Sequence, residues 1–232
     1  MVGDFLTSEW AASDAKDFIS FPGDPGKEKR IMRSMEMPSD QLMERVASRL
    51  AHVDSSVLRD KKPSPDQMEA VTKALSWAKE KTQLTIDEQT RITVEDVENK
   101  ILRHNADVIF IDHVGLMQHV QRKNLWESIA DTSQRLKELA KKHNVVIIAL
   151  VQENRAANKA ADSTSLKGSD NLTNDADGIL QMRSDPPKEF ITGDRWIDAE
   201  VHITKNRHGG CGILKYYWWP QYHDWRQLDD RR

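Results

Sequence analysis

The sequence predicts an α/β fold: a mostly parallel sheet flanked by helices and finished by a C-terminal antiparallel hairpin. Three observations predict it. First, Val108–Ile111 and Val145–Leu150 are short, nearly unbroken apolar runs rich in β-branched residues. Such runs read as strands buried on both faces of a parallel sheet. Second, Leu125, Ile129, Leu136 and Leu139 lie between them at helical spacing, and Lys141-Lys142-His143 follow. Cations there suit the negative end of a helix dipole, and strand–helix–strand is the core unit of α/β proteins. Third, strands expected at 200–205 and 212–218 flank Arg207-His208-Gly209-Gly210, a Gly-rich hairpin turn.

The remaining elements follow from capping and periodicity. A strand is expected at 30–33. Ser39-Asp40 opens a helix whose buried stripe is Leu42, Val46, Leu50 and Val53. Ser64-Pro65-Asp66-Gln67 has the pattern of a capping box with proline at the first helical position. Met68, Val71, Leu75 and Ala78 give that helix its apolar stripe. A short strand is expected at 83–86, and Thr93 caps a helix carrying Val94, Val97 and Ile101. A further strand is expected at 178–182. Residues 1–30 are polar and irregular and form an atypical segment, with the α/β domain running over 31–232.

Composition bounds the function. The 232 residues carry 38% hydrophobic and 31% charged side chains, and the formal net charge is −3. No apolar run nears the roughly 20 residues that cross a bilayer, and the N-terminus lacks a signal pattern, so no membrane role is expected. The single cysteine, Cys211, has no internal partner, which suits a reducing cytoplasm. Any nucleic-acid contact must come from local basic segments, because the overall charge gives no attractive field.

Ligands of open α/β sheets bind beyond the carboxyl ends of the strands. Three polar residues stand at such ends here: Glu36, Asp112 and Gln152. An acid directly after four buried strand residues suits a Mg²⁺ ion held through water beside a nucleotide. A second acid would orient water, and a glutamine on the next strand would sense phosphate. The plainer reading is that strands often end in a polar surface residue.

Taken together, the segments carry a resemblance. Ser34-Met35-Glu36-Met37, the run from Val108 through Asp112 to Met117, and the run from Val146 through Gln152 to Arg155 resemble consecutive motifs of the DnaB-type replicative helicases. Asp175-Ala176-Asp177 and Ile203 to Gly209 continue them in order. The resemblance implies a RecA-like ATPase domain in a hexameric ring that couples ATP hydrolysis to movement along single-stranded DNA. It implies that Glu36 activates water, that Asp112 holds Mg²⁺ through water, and that Gln152 senses the γ-phosphate. Lys205 and Arg207, two apart on a strand and so facing one way, would reach the ATP of a neighbouring subunit, with Arg207 as the finger. Two polar stretches, 118–124 with Arg122 and Lys123, and 154–171 with Arg155, Lys159 and Lys167, would line the pore and track DNA phosphates.

One part of the family's machinery has no counterpart. A phosphate loop needs Gly-x-x-x-x-Gly-Lys-Ser/Thr. Around Gly26-Lys27 the first glycine is Phe21 and the hydroxyl position is Glu28. A parallel crossover needs about 10–12 residues, which the interval from Lys27 to Ser34 does not provide. The resemblance therefore leaves ATP and Mg²⁺ as cofactors of the family and predicts weak ATP binding by this chain. Two other readings stand beside it: a non-catalytic module that binds DNA or joins a helicase partner subunit, and a RecA-like ATPase of recombination or regulation.

Overall fold

The computed structural model describes residues 29–35, 37–60, 62–81, 83–120, 125–151, 170–184 and 196–228. They fall into two compact units. The first is built on four parallel strands, β1 (Lys29–Ser34), β2 (Gln83–Asp87), β3 (Val108–Asp112) and β4 (Val146–Ala149), in the order β2-β1-β3-β4. Three helices belong to the same unit and are numbered by their place in the chain: α4 (Val94–His104), α5 (Leu125–His143) and the short α6 (Asp170–Asp175).

The apolar runs explain this order. All five residues of β3 are buried, as a central strand covered on both faces requires. Its Ile109 and Ile111 meet Ile31 of β1, Val97 and Ile101 of α4, and Ile129, Leu136 and Leu139 of α5 in one core. Strand β4 corrects an expectation: Val146 and Ala149 are exposed and the two isoleucines are only partly buried. It is the last strand of the described sheet, so it lacks the second neighbour that buries β3.

Helix α4 begins and ends as its sequence dictates. Thr93 accepts the Asp96 N–H at 3.2 Å, and the Asp96 carboxylate accepts the Thr93 N–H at 2.8 Å. Asn105 then ends the helix in the left-handed conformation at φ 47°, its N–H donating to the Ile101 carbonyl. On α5, Lys142 and His143 both reach Glu98 of α4 at 2.7 Å, and Arg135 pairs with Glu95.

The second unit contains α1 (Ser39–Ala51, from Asp40 onward), α2 (Ser55–Arg59), α3 (Pro65–Lys81) and an antiparallel sheet. That sheet is a meander, β5 (Gly178–Ser184), β6 (Ile197–Asn206), β7 (Gly212–Trp219) and β8 (Asp224–Gln227). The expected hairpin is its middle pair. The capping box at Ser64 and Gln67 forms, with reciprocal bonds of 2.8 and 3.2 Å. Val71 and Ala78 of α3 are buried, but Met68 is 50% exposed and leaves the predicted stripe. Alternation sorts the aromatic strand β7: Tyr216 and Trp218 pack with Ala199, Val201 and Trp225, while Tyr217 and Trp219 gather around exposed Trp196. No helix among the described residues is long and apolar enough to cross a membrane.

Candidate functional site

The carboxyl edge of the parallel sheet is aligned by register. Ser34 of β1 stands opposite Asp112 of β3, Arg33 opposite Asp87 of β2, and Ile111 opposite Ala149 of β4. Asp112 is buried, with 7% of its surface exposed. Its backbone carbonyl accepts the Met35 N–H at 2.9 Å, so the chain leaving β1 stays bonded to the end of β3. The Asp112–His113 peptide is cis.

Ser34 shapes the turn that follows. Fully buried, its hydroxyl donates to the Met37 carbonyl at 2.7 Å and accepts the Met37 N–H at 3.1 Å. Both polar backbone groups of Met37 are thereby bound by one side chain, which ties position 37 back to the end of β1. Beyond it, the Glu88 carboxylate accepts the Ser39 N–H at 2.5 Å. Hydrogen bonds from Ser39 hold the Glu88 carboxyl below its ordinary range, with slight burial and nearby Asp87 opposing. Asp87 itself is paired with Lys100 at 2.5 Å.

Past Asp112 the chain is held at each step. The Val114 N–H donates to the Leu150 carbonyl, and the Gln118 N–H to the Ile92 carbonyl. His119 Nδ1 lies 2.8 Å from the hydroxyl of fully buried Thr132 on α5. That hydroxyl also lies 3.1 Å from the Ser128 carbonyl, so it links the imidazole to the α5 backbone. Burial lowers the His119 pKa, partly opposed by the Gly115 backbone. Thus the beginning of the 118–124 stretch is pinned to α5. Arg122 and Lys123 lie outside the described residues, as do Glu36, Gln152, Arg155, Lys159 and Lys167. Residues 170–171 of the second polar stretch open helix α6 instead of continuing a loop.

In the other unit, Lys205 and Asn206 end β6, and Arg207 begins the turn. The expectation that Lys205 and Arg207 both lie on the strand is corrected: Arg207 falls one residue past its end. A register shift in β5 between Ile179 and Leu180 lies opposite this end of β6. Arg207 is instead fixed by Asp177. Its N–H donates to the Asp177 carbonyl at 2.9 Å, and its guanidinium lies 3.0 Å from the carboxylate.

Residues 19–227 match the family model described as the DnaB-like helicase C-terminal domain. The chain belongs to that family. The DnaB-like chain is 29% identical over 223 residues to the replicative DNA helicase DnaB of Rickettsia prowazekii, a match covering 85% of this chain and 46% of that protein. With the replicative DNA helicase DnaB of Haemophilus influenzae it shares 29% over 214 residues, covering 87% and 45%. It therefore spans a little under half the length of these curated relatives. Among solved structures, an isolated ATPase domain superposes with a TM-score of 0.80 at 20% identity, covering 98% of this chain and 80% of that one. A DnaB-like replicative helicase, solved in a study of its interactions with primase, gives a TM-score of 0.79 at 21% identity, with coverage of 97% and 56%. These likenesses establish the RecA-like helicase fold.

Sequence reasoning found Asp112 from the four apolar residues before it. It missed the Ser34 turn, the His119–Thr132 bond and the Asp177–Arg207 pair. Only the first had a local signal, a serine three residues before the carbonyl it binds.

Proposed function

We propose that this chain is the motor segment of a replicative DNA helicase, acting on single-stranded DNA within a hexameric ring or beside a helicase partner subunit in the cytoplasm. The observation that carries the reading is the junction at Asp112. A buried strand delivers a carboxylate to the sheet's carboxyl edge, and the Met35 N–H ties the segment entering Glu36 to that residue. Base and metal carboxylate must be held together if water is to attack beside a bound cation.

The donor set is suited to Mg²⁺ in one respect and incomplete in another. Among the described residues no group of three or more His, Cys, Asp or Glu side chains is placed to hold a metal directly. Mg²⁺ keeps several waters and binds through one or two carboxylates with substrate phosphates, and Asp112 is the carboxylate that would hold it through water. The phosphate-cradling groups are not met in this sequence, which contains no Gly-Lys-Ser/Thr. Bound Mg·ATP would supply the phosphoryl group. The roles assigned to the chain are water activation by Glu36, phosphate sensing by Gln152, and contact from Lys205 and Arg207 to a neighbour's nucleotide. On its own, the chain binds ATP weakly.

DNA contact falls to Arg122, Lys123, Arg155, Lys159 and Lys167. Fluorescence anisotropy with a labelled oligothymidylate checks this at a series of salt concentrations. Affinity should fall linearly on a log–log plot, by about 0.7 per phosphate contacted. Replacing Arg122 and Lys123 together by alanine should reduce the slope by about 1.4. An absence of binding at low salt would overturn the DNA assignment.

A further inference from the structure

The turn joining β6 to β7 holds its cation in a way that a fixed phosphate contact does not require. Arg207 meets Asp177 twice, through backbone N–H to carbonyl at 2.9 Å and through guanidinium to carboxylate at 3.0 Å. The backbone bond extends the ladder in which Gly178 pairs with Asn206, so it fixes where the arginine starts. Asn206 closes the other side: its side chain accepts the His208 N–H at 3.1 Å and donates to the Gly210 carbonyl at 3.3 Å. A Cβ at Gly209 would lie 2.8 Å from that amide nitrogen, so a side chain there would make the Asn206 amide shift.

The side-chain half of the Arg207 contact differs from the backbone half. Arg207 and Asp177 are 46% and 49% exposed. An ion pair this open to water orders two side chains while contributing little to stability. A phosphate offers guanidinium more charge and more acceptor oxygens than one carboxylate does. Exchange needs only side-chain rotation, because the ladder and the Asn206 bridge keep the backbone in place.

We propose that Asp177 is an exchangeable latch, whose carboxylate holds the Arg207 guanidinium until a phosphate anion displaces it. The inference rests on the reading of Arg207 as a phosphate-contacting residue. It adds a regulating partner to that residue: the latch keeps an idle arginine ordered and lowers its affinity for any anion that does not outcompete a carboxylate.

Titration with inorganic tripolyphosphate at low salt, followed by the arginine Nε–Hε resonances, tests the latch in the chain as it stands. Asp177→Asn should bind about three- to fivefold tighter than wild type, the range expected when an exposed competing ion pair is removed. Asp177→Glu, which keeps the charge, should stay within about a factor of two of wild type. Arg207→Ala should lose the perturbation. Equal or weaker binding by Asp177→Asn, with Arg207→Ala still defective, would overturn the latch while leaving the phosphate role of Arg207 standing. Unchanged binding by Arg207→Ala would overturn both. Far-UV circular dichroism on each variant separates these outcomes from loss of fold.

Discussion

Two aspartate–arginine pairs in the unit carrying the antiparallel sheet make a controlled comparison. Asp224, at the start of β8, meets Arg49 of α1 at 2.9 Å, and Asp177, just before β5, meets Arg207 at 3.0 Å. Their chemistry and distances are nearly the same. Their burial is not: side-chain exposure is 8% for both partners of the first pair and close to half for the second. Asp224 also accepts from Arg226 at 2.7 Å, which sits over the Trp219 ring. The inner pair is therefore a structural joint between α1 and the last strand. The outer pair is open to water, which is what the proposed exchange of partners requires. Distance alone would have ranked them as equals.

The largest expected effect follows from the inner pair. Asp224→Ala would remove the carboxylate from a buried guanidinium and should destabilise the fold by about 3–5 kcal/mol, read as a lower urea midpoint. Asp177→Asn should move the same midpoint by less than about 1 kcal/mol. If the two substitutions cost the same, burial is not what separates the pairs.

A second substitution tests the support beneath Asp112. Ile109 is fully buried in β3, and Ile109→Ala should cost about 2–5 kcal/mol in the same denaturation experiment. A smaller effect follows from the helix cap: Thr93→Ala removes one half of a reciprocal pair and should cost about 1 kcal/mol.

The smallest effect is a pH dependence at His119. Its pKa is lowered in the folded chain, chiefly by burial. The unfolded chain therefore takes up the proton first as pH falls. The group makes no difference well above the unfolded pKa of about 6.5, and stability drops below it. His119→Gln should flatten the change in urea midpoint between about pH 7.5 and 5. An unaltered pH profile in that variant would show that another group titrates there.

How much of this was legible in the sequence depends on how local the cause is. Strand β3 and its terminal Asp112 announce themselves in five consecutive residues. The caps at Ser64 and Thr93 need four. Helix α2 spans only Ser55–Arg59, started by the Asp54 side chain accepting the Ser56 N–H at 2.7 Å, and five residues are too few to show a period. Strand β8 has two polar residues at its end and exists because β7 offers an edge to pair with. The exposure of β4 was invisible for the same reason, since an apolar run does not say how many neighbours a strand has. At the candidate site, the ends of strands could be read and the contacts that hold them could not. Asp177 and Arg207 are thirty residues apart in the chain, and nothing in either segment names the other.

The central proposal is that the Asp112 edge belongs to a helicase motor whose phosphate-cradling groups are not among these 232 residues. Steady-state ATP hydrolysis by the chain, with and without single-stranded DNA and with Glu36→Gln as control, tests it most directly. The account predicts a rate near background that neither DNA nor the substitution changes. Robust hydrolysis that is stimulated by single-stranded DNA and abolished by Glu36→Gln would contradict it.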